Sequence, residues 1–151
     1  MLYIGADHRG FAMKEAVKSW FLEHGEAMSD VGAHELDVAD DYPDFAIEAA
    51  KLVSQNPEGT KAILICGSGH GMDMVANKYK GVRAAIGFNI SVAKQSREHE
   101  NANVLVLPSD WLHESEAIEI ASAWLSTEYS KAERNERRFG EMREVEDENF
   151  K

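Results

Sequence analysis

The segment Ala62-Ile63-Leu64-Ile65-Cys66, running straight into Gly67-Ser68-Gly69-His70-Gly71, constrains this chain more than any other stretch. Consecutive apolar residues without alternation read as a strand covered on both faces, the kind found in parallel sheets flanked by helices. The glycines turn the chain into a helix-like stretch, Met72 to Lys80. Cys66, the only cysteine, therefore stands at a strand's C-terminal end, beneath backbone N–H groups and a positive helix end that favour negative charge. A thiol in that setting is expected to have a lowered pKa.

The rest of the chain alternates in the same way. Leu2 to Ala6 is a short apolar run ending in Asp7-His8-Arg9-Gly10, and Phe11 to His24 has helical spacing closed by Gly25. Residues 26–32 form a weaker, more polar strand. Asp40-Asp41-Tyr42-Pro43-Asp44 is a loop, with Pro43 suited to the first turn of a helix reaching Ser54. Val82 to Phe88 and Val104 to Leu107 read as strands four and five, Ile90 to His99 and Glu114 to Glu128 as the helices after them, and residues 130–151 as a charged helical extension. The pattern predicts one α/β domain over residues 1–151, a doubly wound, flavodoxin-like parallel sheet in the order 2-1-3-4-5. The topological switch falls between strands one and three. Ligands of such sheets bind outside the carboxyl ends at the switch, so Asp7-His8 and Cys66 should face one crevice.

A formal charge of −11 argues against a nucleic-acid partner, which would need a basic face. One cysteine excludes an intrachain disulfide and fits a reducing compartment, so the cytoplasm is the expected location. No apolar run is long enough to span a membrane. No histidine pair has ligand spacing and one thiol cannot build a thiolate cluster, so neither a metal nor a cofactor is expected. The loop is G-x-G-x-G, neither a dinucleotide fingerprint nor a Walker loop.

Each candidate has a plain structural alternative. A lone cysteine is often only a small buried hydrophobe. Asp7 can cap the helix that begins at Phe11. His99, in Ser96-Arg97-Glu98-His99-Glu100, can be a satisfied helix residue, and His70 can point to solvent. Arg134, Arg137 and Arg138, interleaved with glutamates, read first as a solvated helix with i,i+4 pairs and second as an anion clamp for a partner's ligand.

Taken together, the motifs resemble the ribose-5-phosphate isomerase B and galactose-6-phosphate isomerase family. The resemblance rests on Gly5-Ala6-Asp7-His8-Arg9-Gly10-Phe11, Asp41-Tyr42-Pro43-Asp44, Ile65 to Gly71 followed by Ala76 to Ala85, and Ser96-Arg97-Glu98-His99 with Asn101 to Leu105. It implies metal-free aldose–ketose isomerisation of a sugar or sugar phosphate. Cys66 would move a proton between C1 and C2 through a cis-enediolate, with Ser68 in place of the family's threonine. The N–H groups of Gly67, Gly69, His70 and Gly71 would steady the oxyanion. His99 would open the furanose ring. Asp7, Asp41 and Tyr42 would orient hydroxyls and close the site, and His8 would contact phosphate. The site would be shared between two subunits of a homodimer or dimer of dimers.

The chain departs from that pattern where phosphate is held. Glu100 replaces an asparagine after the ring-opening histidine, and Asp110 stands where the family has a phosphate-gripping arginine. Arg134 and Arg138 match the tail motif only with one residue inserted, and its histidine is here Asn135. An aspartate beside a dianion should cost about 1 kcal/mol or more. An unphosphorylated or shorter sugar therefore stands as a second reading, a non-catalytic sugar-phosphate-binding module as a third, and a nucleotide or flavin binder, on topology alone, as a fourth.

Overall fold

A computed structural model describes residues 1–150. The elements in chain order are β1 (Leu2–Ala6), α1 (Phe11–Glu23), β2 (Ser29–Asp30), α2 (Tyr42–Gln55), β3 (Lys61–Cys66), α3 (His70–Ala76), β4 (Ala84–Ile86), α4 (Ile90–Glu100), β5 (Val104–Pro108), α5 (Glu114–Leu125) and α6 (Glu133–Asn149). All strand pairs are parallel.

Side chains alternate across β3 and β5, and each face has its own core. Ile63, Ile65, Leu105 and Leu107 meet α1 and α5 through Met13, Val17, Phe21, Ile120 and Trp124. Ala62, Leu64, Cys66, Val104 and Val106 meet α2 and α3 through Ala46, Ala49, Val53 and Met72. Each fully buried aliphatic side chain contributes about 1.5–3 kcal/mol, and these two layers hold the switch between β1 and β3 rigid.

The sheet order is β2-β1-β3-β5-β4, not the expected 2-1-3-4-5. Every residue of β5 is buried, whereas the three residues of β4 are only half-buried, so the longer apolar run takes the interior and the short one the edge. The exchange leaves the switch where it was expected, because β2 and β3 still flank β1 on opposite sides. Several elements are shorter than the sequence suggests. β2 keeps two residues, β4 keeps three, α5 ends at Leu125 rather than Glu128, and α3 ends at Ala76, where the Asn77 side chain binds both Asp73 and Ala84. Among the described residues, no helix is long and apolar enough to cross a membrane.

Candidate active site

The register of the sheet brings the chemistry together. Ala6 is level with Ile65, and Cys66 with Pro108, so Asp7, Cys66 and the Ser109-Asp110 turn emerge side by side at the C-terminal edge. This edge is stitched across strands. The N–H groups of Ser109 and Asp110 donate to the carbonyls of Cys66 and Gly67, each at 2.9 Å, and the N–H of Asp7 donates to Ile65 at 3.3 Å. Ser109 Oγ lies within hydrogen-bond distance of the carbonyls of both Arg9 and Cys66.

Cys66 is 4% exposed, on the α2–α3 side of β3. The backbone N–H groups of Met72 and Gly69 lie near enough to favour its charged form, and Gly69 has a φ of 82°, a conformation natural to glycine. The expectation of a lowered thiol pKa is nevertheless overturned. Burial pushes the thiol up, the two N–H groups offset only part of that, and the charges of Asp7 and Asp110 add to the rise. The loop donors that were expected to wait for an oxyanion are partly used within the protein. Gly69 N–H favours the charged sulfur, and the N–H of His70 donates to Ser68 Oγ at 3.3 Å. Among the described residues, the Ser68 N–H has no acceptor.

Asp7 is 5% exposed, and its Oδ1 accepts from the N–H groups of Arg9 and Gly10, both at 3.0 Å. The carboxylate thus shapes the turn into α1 while standing beside the thiol. Burial raises its pKa, outweighing the backbone bond from Gly10 and the charge of His8. Tyr42 opens α2, and its phenol lies against Gly71, over the loop; Asp41 caps the same helix without a side-chain bond. Ser68, His70, Asp41 and Tyr42 are exposed around this edge.

Sequence reasoning misses two residues here. Asp40 Oδ1 accepts both the His8 N–H at 2.9 Å and its Nδ1 at 2.6 Å. Arg9 Nη2 lies 2.8 and 2.6 Å from the two carboxylate oxygens of Asp110. The only signals were the doubled Asp40-Asp41 and the place of Arg9 directly after Asp7-His8. Asp110 is therefore not the bare negative charge that its sequence position suggests.

Four of the expected site residues lie elsewhere. His99 and Glu100 end α4, just before Asn103, whose carbonyl accepts from Ala62 at the start of β3. The four residue steps from Ala62 to Cys66 along β3 separate that level from Cys66 by roughly 13 Å at ~3.3 Å per residue. α6 runs along the same N-terminal edge. Ser130, just before it, donates to the Glu98 carbonyl, Phe139 lies under the Arg83 guanidinium, and Glu146 accepts from the Gly81 N–H. Arg134 and Arg138 on this helix are exposed. Within one chain, then, the Cys66 group and the His99 group sit at opposite edges of the sheet. Among the described residues no three His, Cys, Asp or Glu side chains cluster to hold a metal ion.

Residues 2–142 match the ribose/galactose isomerase family. Ribose-5-phosphate isomerase B of Mycobacterium tuberculosis is 36% identical over 145 residues, covering 96% of this chain and 89% of that relative. A crystal structure of ribose-5-phosphate isomerase B from Mycoplasma genitalium with bound ribulose 5-phosphate superposes with a TM-score of 0.94 at 36% identity, covering 98% of this chain and 97% of that one. The type B enzyme of Trypanosoma cruzi superposes with a TM-score of 0.89 at 35% identity, covering 98% and 99%. Matched over nearly its whole length in sequence and in fold, the chain belongs to the ribose/galactose isomerase family.

Proposed function

We propose that this protein is an aldose–ketose isomerase that interconverts ribose 5-phosphate and ribulose 5-phosphate, with Cys66 as the base. The carrying observation is the juxtaposition of Cys66 and Asp7 at the switch of the sheet, beside the Ser68 N–H. The thiolate takes the proton from C2 of the open-chain aldose, leaving a cis-enediolate. The thiol then returns the proton to C1 while the hydroxyl proton of O2 passes to the O1 oxyanion, and the carbonyl forms at C2. Charge on the oxygens meets the remaining N–H groups of the 67–71 loop, while Asp7, Asp41 and Tyr42 orient hydroxyls.

A raised thiol pKa makes the resting group a thiol, so the site needs positive charge to reach its working form. A second copy of the chain would supply it through Arg134 and Arg138, which, like His99, lie at the edge opposite their own Cys66. We therefore read the active unit as a homodimer or dimer of dimers, with His99 of one copy opening the ring bound at Cys66 of the other. The reading of an unphosphorylated sugar loses its main motive, since Arg9 neutralises Asp110.

The test is proton exchange. Ribose 5-phosphate in deuterated buffer should acquire deuterium at C1 or C2 with the wild-type protein and not with Cys66→Ala, followed by NMR. Exchange that persists in Cys66→Ala removes the sulfur from the mechanism; absence of exchange in the wild type removes the reaction.

A further inference from the structure

Arg9 and Asp110 are 101 residues apart in sequence, yet they form one ion pair directly above the loop that follows Cys66. A side-chain carbon added to Gly67 would lie 2.7 Å from Arg9 Nε, 2.9 Å from its Cζ and 3.0 Å from Asp110 Oδ2. Both charged groups therefore rest on the bare backbone of Gly67. We infer that Arg9 is the residue with which this site recognises the anionic end of its substrate, and that Asp110 holds the guanidinium in place for it. The inference rests on the sugar-phosphate reading above and names the recognising residue within it.

A guanidinium has five N–H donors, and both bonds to Asp110 leave from Nη2. Among the described residues, Nε and Nη1 have no acceptor. Arg9 is 56% exposed against 33% for Asp110, so the unengaged edge is the accessible part of the pair. That edge is planar, permanently charged and spaced to take two oxygens of a phosphate. The backbone beneath it is fixed. Ser109 Oγ bonds the Arg9 carbonyl at 3.0 Å and Asp7 Oδ1 accepts the Arg9 N–H at 3.0 Å. His8, the neighbouring imidazole, is held in the same manner by Asp40. Two consecutive side chains after β1 are thus each oriented by one aspartate from a distant segment.

A purely structural bridge predicts that removing either partner has the same effect. Recognition predicts opposite effects, because Arg9 attracts an anion and Asp110 repels it. The experiment measures binding of inorganic phosphate by calorimetry and the steady-state kinetics of ribose 5-phosphate for wild type, Arg9→Gln, Arg9→Lys and Asp110→Asn. Arg9→Gln should weaken phosphate binding and raise KM more than tenfold while kcat falls less than threefold. Arg9→Lys should fall between wild type and Arg9→Gln, and Asp110→Asn, which keeps one oxygen to hold Nη2 and removes the charge that repels an anion, should tighten phosphate binding several-fold. Binding and KM within twofold of wild type in Arg9→Gln overturn the inference, as does equal weakening by Arg9→Gln and Asp110→Asn. A wild-type protein that binds phosphate through Arg9 but turns over no sugar phosphate would refute the reaction and leave the recognition standing.

Discussion

His8 Nδ1 lies 2.6 Å from Oδ1 of Asp40, and the same oxygen accepts the His8 backbone N–H at 2.9 Å. Asp40 belongs to the loop before α2 and His8 to the turn before α1, so one carboxylate ties together two segments of the C-terminal edge. The hydrogen bond to Asp40 raises the His8 pKa above its ordinary 6.5; partial burial and Arg9 oppose the rise, and the charge of Asp7 adds to it. A raised folded-state value means that the pair stabilises the fold fully below the unfolded value. That contribution is lost as pH rises through the folded value. The difference in thermal midpoint between wild type and Asp40→Asn should therefore be largest near pH 5.5 and shrink toward pH 9. A difference that grows with pH would show that His8 is not held protonated by Asp40.

The sulfur offers a second pH-dependent observable. Cys66 is the only cysteine in the chain, so thiolate absorbance at 240 nm, with Cys66→Ser as the blank, reports one group. Its midpoint should lie above 9.0, because burial disfavours the charged form and Asp7 and Asp110 oppose it. Asp7→Asn keeps an oxygen for the Arg9 and Gly10 N–H groups and removes the charge, so it should move the midpoint down. A midpoint below 8 in wild type would mean that the loop N–H groups, or the cations of a second copy, outweigh burial.

Lys14 tests the support behind the site. Its side chain is 0% exposed, and its Nζ bonds both oxygens of Asp30 at 2.9 Å and the carbonyl of Ala33. The Gly32-Ala33 segment it grips runs beside β1, exchanging 2.7 Å bonds with Ala6, the residue before Asp7. Removing one partner of a buried pair typically costs 3–5 kcal/mol. Lys18, 2.5 Å from Asp30, still offsets the carboxylate, so Lys14→Met should cost about 3 kcal/mol in urea unfolding, at the low end of that range. A loss under 1 kcal/mol would mean that Lys18 alone suffices.

What could be read from the sequence divides along a physical line. The meeting of Asp7 with Cys66 was legible because strand polarity and a switch point follow from the alternation of elements alone. The relative order of β4 and β5 was not, because both are apolar and parallel, and the lengths read from the sequence, Val82 to Phe88 against Val104 to Leu107, run opposite to those of the folded strands, Ala84–Ile86 and Val104–Pro108. The pairs His8–Asp40 and Arg9–Asp110 span 32 and 101 residues, and no local rule couples such positions. The thiol shift was misjudged for a related reason. Gly67 to Gly71 reveals the N–H groups, but the desolvation that outweighs them comes from packing against α2 and α3. Positional logic survives in a sequence, whereas the balance between burial and charge does not.

The separation of Cys66 from His99 gives the sharpest prediction. If each site takes its sulfur from one copy and its imidazole from another, Cys66→Ala and His99→Asn proteins are each inactive on cyclic ribose 5-phosphate. Mixed, unfolded and refolded together, they should regain activity, because a mixed dimer contains one site with both groups intact. Random pairing of equal amounts makes about half the dimers mixed, each with one competent site of two, so the mixture should reach about a quarter of wild-type activity. His99→Asn alone should retain turnover of substrate already in the open-chain form, since its loss removes ring opening and spares proton transfer. Failure of the mixture to exceed either parent would place His99 and Cys66 in separate functions. Equal loss on cyclic and open-chain substrate in His99→Asn would remove ring opening from the imidazole's role.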